Sequence, residues 1–203
     1  FYDDSHPLTA LAKTYQIALL NRERHKAAGL ILQAAKNKVP IKDLYLHVFQ
    51  PCLREIGRLW QLRQISVAHE HYCTASTQLI MSQLYPYLFN GPKNGLRLVA
   101  TCIQGNLHEI GVRMVADFFE MEGWDTVYLG ANTPTESIIQ MLLDHQPHVL
   151  AISASLGLHI SDVEALIETV HQQLGENQNS ARRGSFSCQS RPLEKTQCRC
   201  WRR

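Results

Sequence analysis

The sequence predicts an α/β protein: an N-terminal four-helix bundle, then a doubly wound parallel sheet truncated at its C-terminal end. Three observations carry this. From Pro7 to about Asn90, apolar residues recur at helical spacing. From Leu96 to about Gly175, apolar and β-branched strands alternate with amphipathic helices, the signature of a parallel sheet with helical crossovers. Beyond Gly175 the alternation stops.

In the first region, helices are expected at about 7–20, 23–37, 41–60 and 66–89, forming a bundle domain at 7–90. Leu8, Leu11, Tyr15, Ala18 and Leu19 keep one face, as do Ala27, Leu30, Ile31 and Ala34. Pro40 opens the third helix, and Phe49, Cys52, Leu53, Ile56 and Trp60 form its stripe. Pro51 should kink that helix or mark a local break. Ser66 reads as the N-cap of the fourth, with His69 at the position an acid usually holds.

The turn-rich stretch Asn90 to Gly95 (NGPKNG) marks the boundary to a second domain at 95–175. LRLVATCI reads as a strand covered on both faces. A helix at about 109–122, closed by Gly123, strands at 125–129 and 148–154, and helices at 134–145 and 162–174 follow. Thr133 with Glu136 and Ser161 with Glu164 are expected capping boxes, with Pro134 at the first helical position. Residues 176–203 contain no isoleucine, valine or methionine and no period, so a disordered or non-native tail is expected there.

Composition narrows the function classes. Residues 180–203 carry a net charge of +6 and the remainder −4, which removes any nucleic-acid argument from the body. No apolar run approaches a membrane span, and no signal-peptide pattern opens the chain, so a cytoplasmic protein without membrane attachment is expected. Cys52, Cys73 and Cys102 lie singly in apolar segments and read as buried core residues. The chain opens on Phe1, so an upstream segment is expected to be missing; a DNA-binding motif does not occur within these residues.

The residues that suggest chemistry cluster at two places. His108 lies between Gly105 and Gly111 at the carboxyl end of the first strand, where open α/β sheets bind ligands. Imidazole is the commonest metal ligand, and Asn106 is spaced to accept its other ring N–H. A turn histidine capping a helix is the alternative. Ser153 and Ser155 end a strand on the same sheet edge. In the bundle, Trp60 closes one helix while Glu70 and His71 open the next, a set suited to lining a flat ligand or, alternatively, a core indole beside a solvated pair. Thr74 shares a face with either member of that pair.

NLHEIG (Asn106 to Gly111), GWDTVYLGANTP and the strand-end serine of AISAS resemble the cobalamin-binding domain of methionine synthase and its corrinoid-protein relatives. More narrowly, Trp60, nine residues, then Glu70-His71 resembles the Trp-x9-Glu-His motif of B12-dependent light-sensing transcriptional regulators. The resemblance covers roughly residues 8–175 and implies a Rossmann-like, flavodoxin-like sheet beneath a helical cap. It implies cobalamin as cofactor, adenosylcobalamin above methylcobalamin, with His108 as lower axial cobalt ligand. Ser153 and Ser155 match the serine of the second family signature in two registers, and Gly111 lets the helix pack close to the corrin-side loop. Trp60 would cover the upper face, lined by Glu70 and His71. The family has an acid where this chain has Asn106, and its Gly-Gly strand is missing here.

The implied function is a sensory and regulatory module, a photoreceptor acting in transcription regulation, and not an enzyme. A methyl-carrying corrinoid protein and a haem-binding sensor are the competing readings. The corrinoid is the expected ligand, with a homo-oligomer or a regulatory protein as the kind of partner.

Overall fold

The computed structural model describes residues 1–88, 91–178, 187–188 and 197–202. The chain forms two compact units, Phe1–Phe89 and Asn90–Arg203.

The first unit is helical: α1 (Thr9–Leu20), α2 (Arg24–Lys36), α3 (Ile41–Leu44), α4 (Gln50–Gln61) and α5 (Val67–Leu84). A π-helical turn, Tyr45–Phe49, joins α3 to α4 without a loop. The expected irregularity at Pro51 therefore falls just before the proline, which itself sits in the first turn of α4. Proline donates no N–H and its ring crowds the carbonyl four residues back, that of His47; widening the turn there relieves both problems. Tyr15, Leu19, Ile31, Phe49, Ile56 and Ile80 are fully buried at the centre. The Tyr15 and Phe49 rings lie tilted with centroids 5.4 Å apart, and the Tyr15 hydroxyl hydrogen-bonds that of Thr77 at 2.9 Å. Burial, then the nearby Glu70 carboxylate, pushes the Cys73 thiol up to about 11, and burial pushes Cys52 up too. Both are inert core thiols at neutral pH.

The second unit orders β1 (Arg97–Ile103), α6 (Ile110–Met121), β2 (Asp125–Thr133), α7 (Thr135–His145), β3 (Val149–Ala154) and α8 (Ile160–Gln178). The parallel strands lie in the order β2-β1-β3. Leu98, Ala100 and Cys102 of β1 face Val112 and Ala116 of α6, while Val99 and Ile103 face Ile138 and Leu142 of α7 and Leu166 of α8. The period-two alternation of one buried strand thus feeds two cores. The crossover from β1 places β2 on one side of it and the next places β3 on the other, so the strand order reverses there and the carboxyl ends of β1 and β3 form the topological switch point.

The expected capping boxes do not form. α7 is capped by Pro134 without a side-chain hydrogen bond, because Thr133 belongs to β2 and its hydroxyl accepts from Thr101 Oγ1 at 2.8 Å. Ser161 lies inside α8, which a 3-10 turn at Gly157–His159 starts one residue earlier. Ser66 does cap α5: its hydroxyl accepts the His69 N–H and meets His69 Nδ1 at 2.8 Å.

The expectation of no strand beyond residue 175 is corrected. α8 continues to Gln178, and β5 (Gln197–Arg202) pairs antiparallel with β3 from Val149↔Arg202 to Ala154↔Gln197, with β4 (Ser187–Cys188) beyond it. An open β3 edge presents a row of main-chain donors and acceptors, and extended backbone satisfies them whatever its side-chain period. Hydrophobic patterning is blind to that interaction. The rest of the expected tail lies outside the described residues.

The stretch read as a connector is fastened to the second unit. Asn94 N donates to Gly123 O at 2.8 Å, Asn94 Nδ2 to Glu122 O at 2.9 Å, and Lys93 Nζ reaches Glu120 at 2.8 Å and Trp124 O at 2.9 Å. Gly123 adopts φ +81°, and a Cβ there would lie 2.6 Å from Pro92 O. Gly123→Ala is expected to lower stability by about 2 kcal/mol or more, because left-handed strain and a main-chain clash add. Gly57→Ala, in open space on α4, should instead gain about 0.5–1 kcal/mol. Denaturant unfolding of the two variants should move in opposite directions.

Candidate functional site

The loop from Gln104 to Glu109 leaves β1 at the switch point and enters α6. Its anchor is Asn106, which is 1 % exposed. Asn106 Nδ2 donates to the carbonyl of Ser153 on β3 at 3.0 Å, and Asn106 Oδ1 accepts the main-chain N–H of His108 at 3.2 Å. One partner is only an acceptor and the other only a donor, so the amide has a single possible orientation. Asn106 Oδ1 also lies 3.3 Å from His108 Nδ1. An oxygen there requires the neutral imidazole to carry its proton on Nδ1, which leaves the Nε2 lone pair free.

The capping alternative for His108 has no support in the geometry. α6 begins after Glu109 and has no side-chain cap hydrogen bond, and the His108 ring is exposed. A fixed, accessible imidazole with its second nitrogen unused is the donor that one open metal coordination position needs. Among the described residues no group of three or more His, Cys, Asp or Glu forms a metal site. A metal carried in a macrocycle needs no such group, since the macrocycle supplies its equatorial ligands.

Asn132, which sequence reasoning did not single out, holds the same loop from the other side. Its Oδ1 accepts from Gly105 N at 2.8 Å and its N–H donates to Asn106 O at 3.0 Å. The reach depends on β2 gaining residues against β1: Ala100 pairs Tyr128, Thr101 pairs Gly130 and Ile103 pairs Thr133. Gly130 and Asn132 absorb the twist at φ +85° and +52°. The signal in the sequence was the GAN triplet, residues that tolerate positive φ inside an apparent strand.

Ser153 is buried and acts through its carbonyl; Ser155 is half-buried in the following loop. At Gly111, at the start of α6, an added Cβ would meet nothing within 4 Å, so the space beside it is open. Three leucines in the same two loops are exposed, Leu107 at 72 %, Leu156 at 48 % and Leu158 at 68 %. The loops touch, for a Cβ on Gly105 would lie 3.1 Å from the buried His159 ring. Exposed apolar side chains grouped beside a polar anchor mark a face that binds an apolar surface.

In the helical unit, Trp60 lies in the last turn of α4 and Glu70 and His71 in the first turns of α5, at one end of the unit. Trp60 is 43 % exposed, which excludes the core reading. Both carboxylate oxygens of Glu70 are used: Oε2 meets His71 Nδ1 at 2.7 Å and Oε1 accepts from Thr74 Oγ1 at 2.8 Å. Thr74 thus pairs with Glu70 of the two residues it faced. His71 stands 72 % exposed on this fixed acid.

Comparison with known proteins identifies the family. A family model described as the B12 binding domain matches residues 96–178, and a second of the same description matches residues 11–85, together more than half of the chain. The chain belongs to the cobalamin-binding family. This cobalamin-binding chain is 31 % identical over 103 residues to the HTH-type transcriptional repressor CarA of Myxococcus xanthus, covering 51 % of its own length. It spans only 34 % of that repressor. Its fold is similar to that of the Methanosarcina barkeri monomethylamine corrinoid protein, with TM-score 0.68, 20 % identity, and coverage of 79 % of this chain and 76 % of that one. A corrinoid is accordingly the cofactor class, and nothing in the comparisons supports haem. Among the described residues, no helix is long and apolar enough to cross a membrane.

Proposed function

We propose that the protein is a cobalamin-dependent regulatory module in which His108 is the lower axial ligand to cobalt. The observation that carries the reading is the clamp of Asn106 on His108, which fixes the ring with Nε2 free at the switch point. Leu107, Leu156 and Leu158 supply apolar contact for the macrocycle, and Ser153, Ser155 and Gly111 border the same edge. Trp60, Glu70 and His71 serve the upper face, with Trp60 covering an adenosyl group. Bound cobalamin would supply the cobalt–carbon bond whose state the module senses; the chain itself orients the ligand through the Asn106 clamp on His108.

The second reading, a methyl-carrying corrinoid protein, shares His108 and draws support from the fold similarity above. It gives no role to the half-exposed Trp60 or to the Glu70-His71 pair. The test is the absorption spectrum of purified protein given adenosylcobalamin or methylcobalamin, in darkness and after illumination. The regulatory reading expects a light-dependent change with the adenosyl form. Trp60→Ala should weaken adenosylcobalamin binding by about tenfold, the worth of one buried aromatic face, and methylcobalamin much less. Equal losses would favour the carrier, and no corrinoid uptake would remove both readings.

A further inference from the structure

We propose that Cys102 is a positioning residue for His108, acting through the main chain; the inference rests on the reading of His108 as an axial ligand. Cys102 is the sixth residue of β1 and is fully buried, facing α6 with Leu98 and Ala100. Its Sγ lies 3.6 Å from the carbonyl oxygen of His108. The carbonyl precedes α6, whose first bond at this end runs from Arg113 N to Glu109 O, so the helical ladder does not use it. The thiol donates to it instead.

His108 is thereby held at both of its main-chain groups. Its N–H is held from the loop by Asn106 Oδ1 at 3.2 Å, and its C=O from the strand by Cys102. Two fixed peptide groups set the direction of the Cα–Cβ bond, and the contact between Nδ1 and Asn106 Oδ1 then selects the ring orientation. Cys102 pairs in register with Ser153, whose carbonyl receives Asn106 Nδ2. One rung of the β1–β3 ladder therefore carries both supports of the ligand loop. Cysteine suits the position because it is small and apolar enough for the α6 core and still brings a donor.

The test separates the donor from the volume. Cys102→Val keeps the core filled and removes the donor, whereas Cys102→Ser keeps a donor. In ligand-free protein, amide exchange across residues 104–110 should quicken about two- to fivefold in the valine variant, the scale of one weak hydrogen bond, and stay near wild type in the serine variant. Hydroxocobalamin affinity should fall by the same factor in the valine variant and recover in the serine variant, with little change in melting temperature. Loop exchange in the valine variant equal to wild type, or a serine variant no better than valine, would overturn the proposal. If no variant, wild type included, takes up hydroxocobalamin, the axial-ligand reading fails, while loop exchange still decides whether Cys102 holds the loop.

Discussion

His108→Ala is expected to abolish axial ligation while leaving the fold intact. The ring is exposed and caps no helix, so its removal should change stability by no more than about 0.5 kcal/mol. Loss of an outer partner of a metal ligand typically costs about 10–100-fold in affinity, and loss of the ligand itself should exceed that. The check is a spectral titration with hydroxocobalamin beside a thermal melt. The wild type should show displacement of the solvent ligand by a protein nitrogen, and the alanine variant should not. Millimolar imidazole should restore the nitrogen-ligated spectrum in the variant, since its cavity and loop remain. A variant that binds cobalamin with the wild-type spectrum would exclude His108 as the ligand.

The elements framing this site were legible because their signals are periodic. Val99 and Ile103 against Leu98 and Ala100 gave a strand buried on both faces, and the structure puts α7 and α8 on one side and α6 on the other. His108 stands out by position and not by period, as the one imidazole between Gly105 and Gly111 at a strand end, and its role as a ligand is the proposal above. What escaped was aperiodic. Asn132 reaches the loop only through a register shift that no spacing rule encodes. Thr133 had the identity of a cap but its hydroxyl was claimed by Thr101, thirty-two residues away in sequence. The β3–β5 pairing is written in main-chain groups and has no side-chain pattern to read. Local propensity names the candidates for a role; long-range hydrogen bonds choose among them.

Asn106→Asp would give the loop the acid found in the family signature, and it is expected to damage this protein. One carboxylate oxygen still accepts the His108 N–H. The other replaces Nδ2 opposite the Ser153 carbonyl, at a separation of 3.0 Å in a residue 1 % exposed. Two acceptors then face each other without a proton, and a charge is buried, costing about 2–4 kcal/mol. Protonation repairs the contact, because a carboxylic acid donates to that carbonyl. The folded-state pKa of the substituted group is therefore raised above the unfolded value of about 3.9. It follows that the deficit against wild type is absent below about pH 4, grows as pH rises toward the folded pKa, and is constant above it. Denaturant unfolding and exchange of residues 104–108 should show the variant matching wild type at the acid end and falling behind at neutral pH. Asn106→Ala, which does not titrate, should show a deficit independent of pH. A substituted acid as stable as wild type at neutral pH would mean that Ser153 is not the partner of residue 106. That partner is what commits this chain to an amide, and with it to an imidazole whose orienting acceptor carries no proton at any pH.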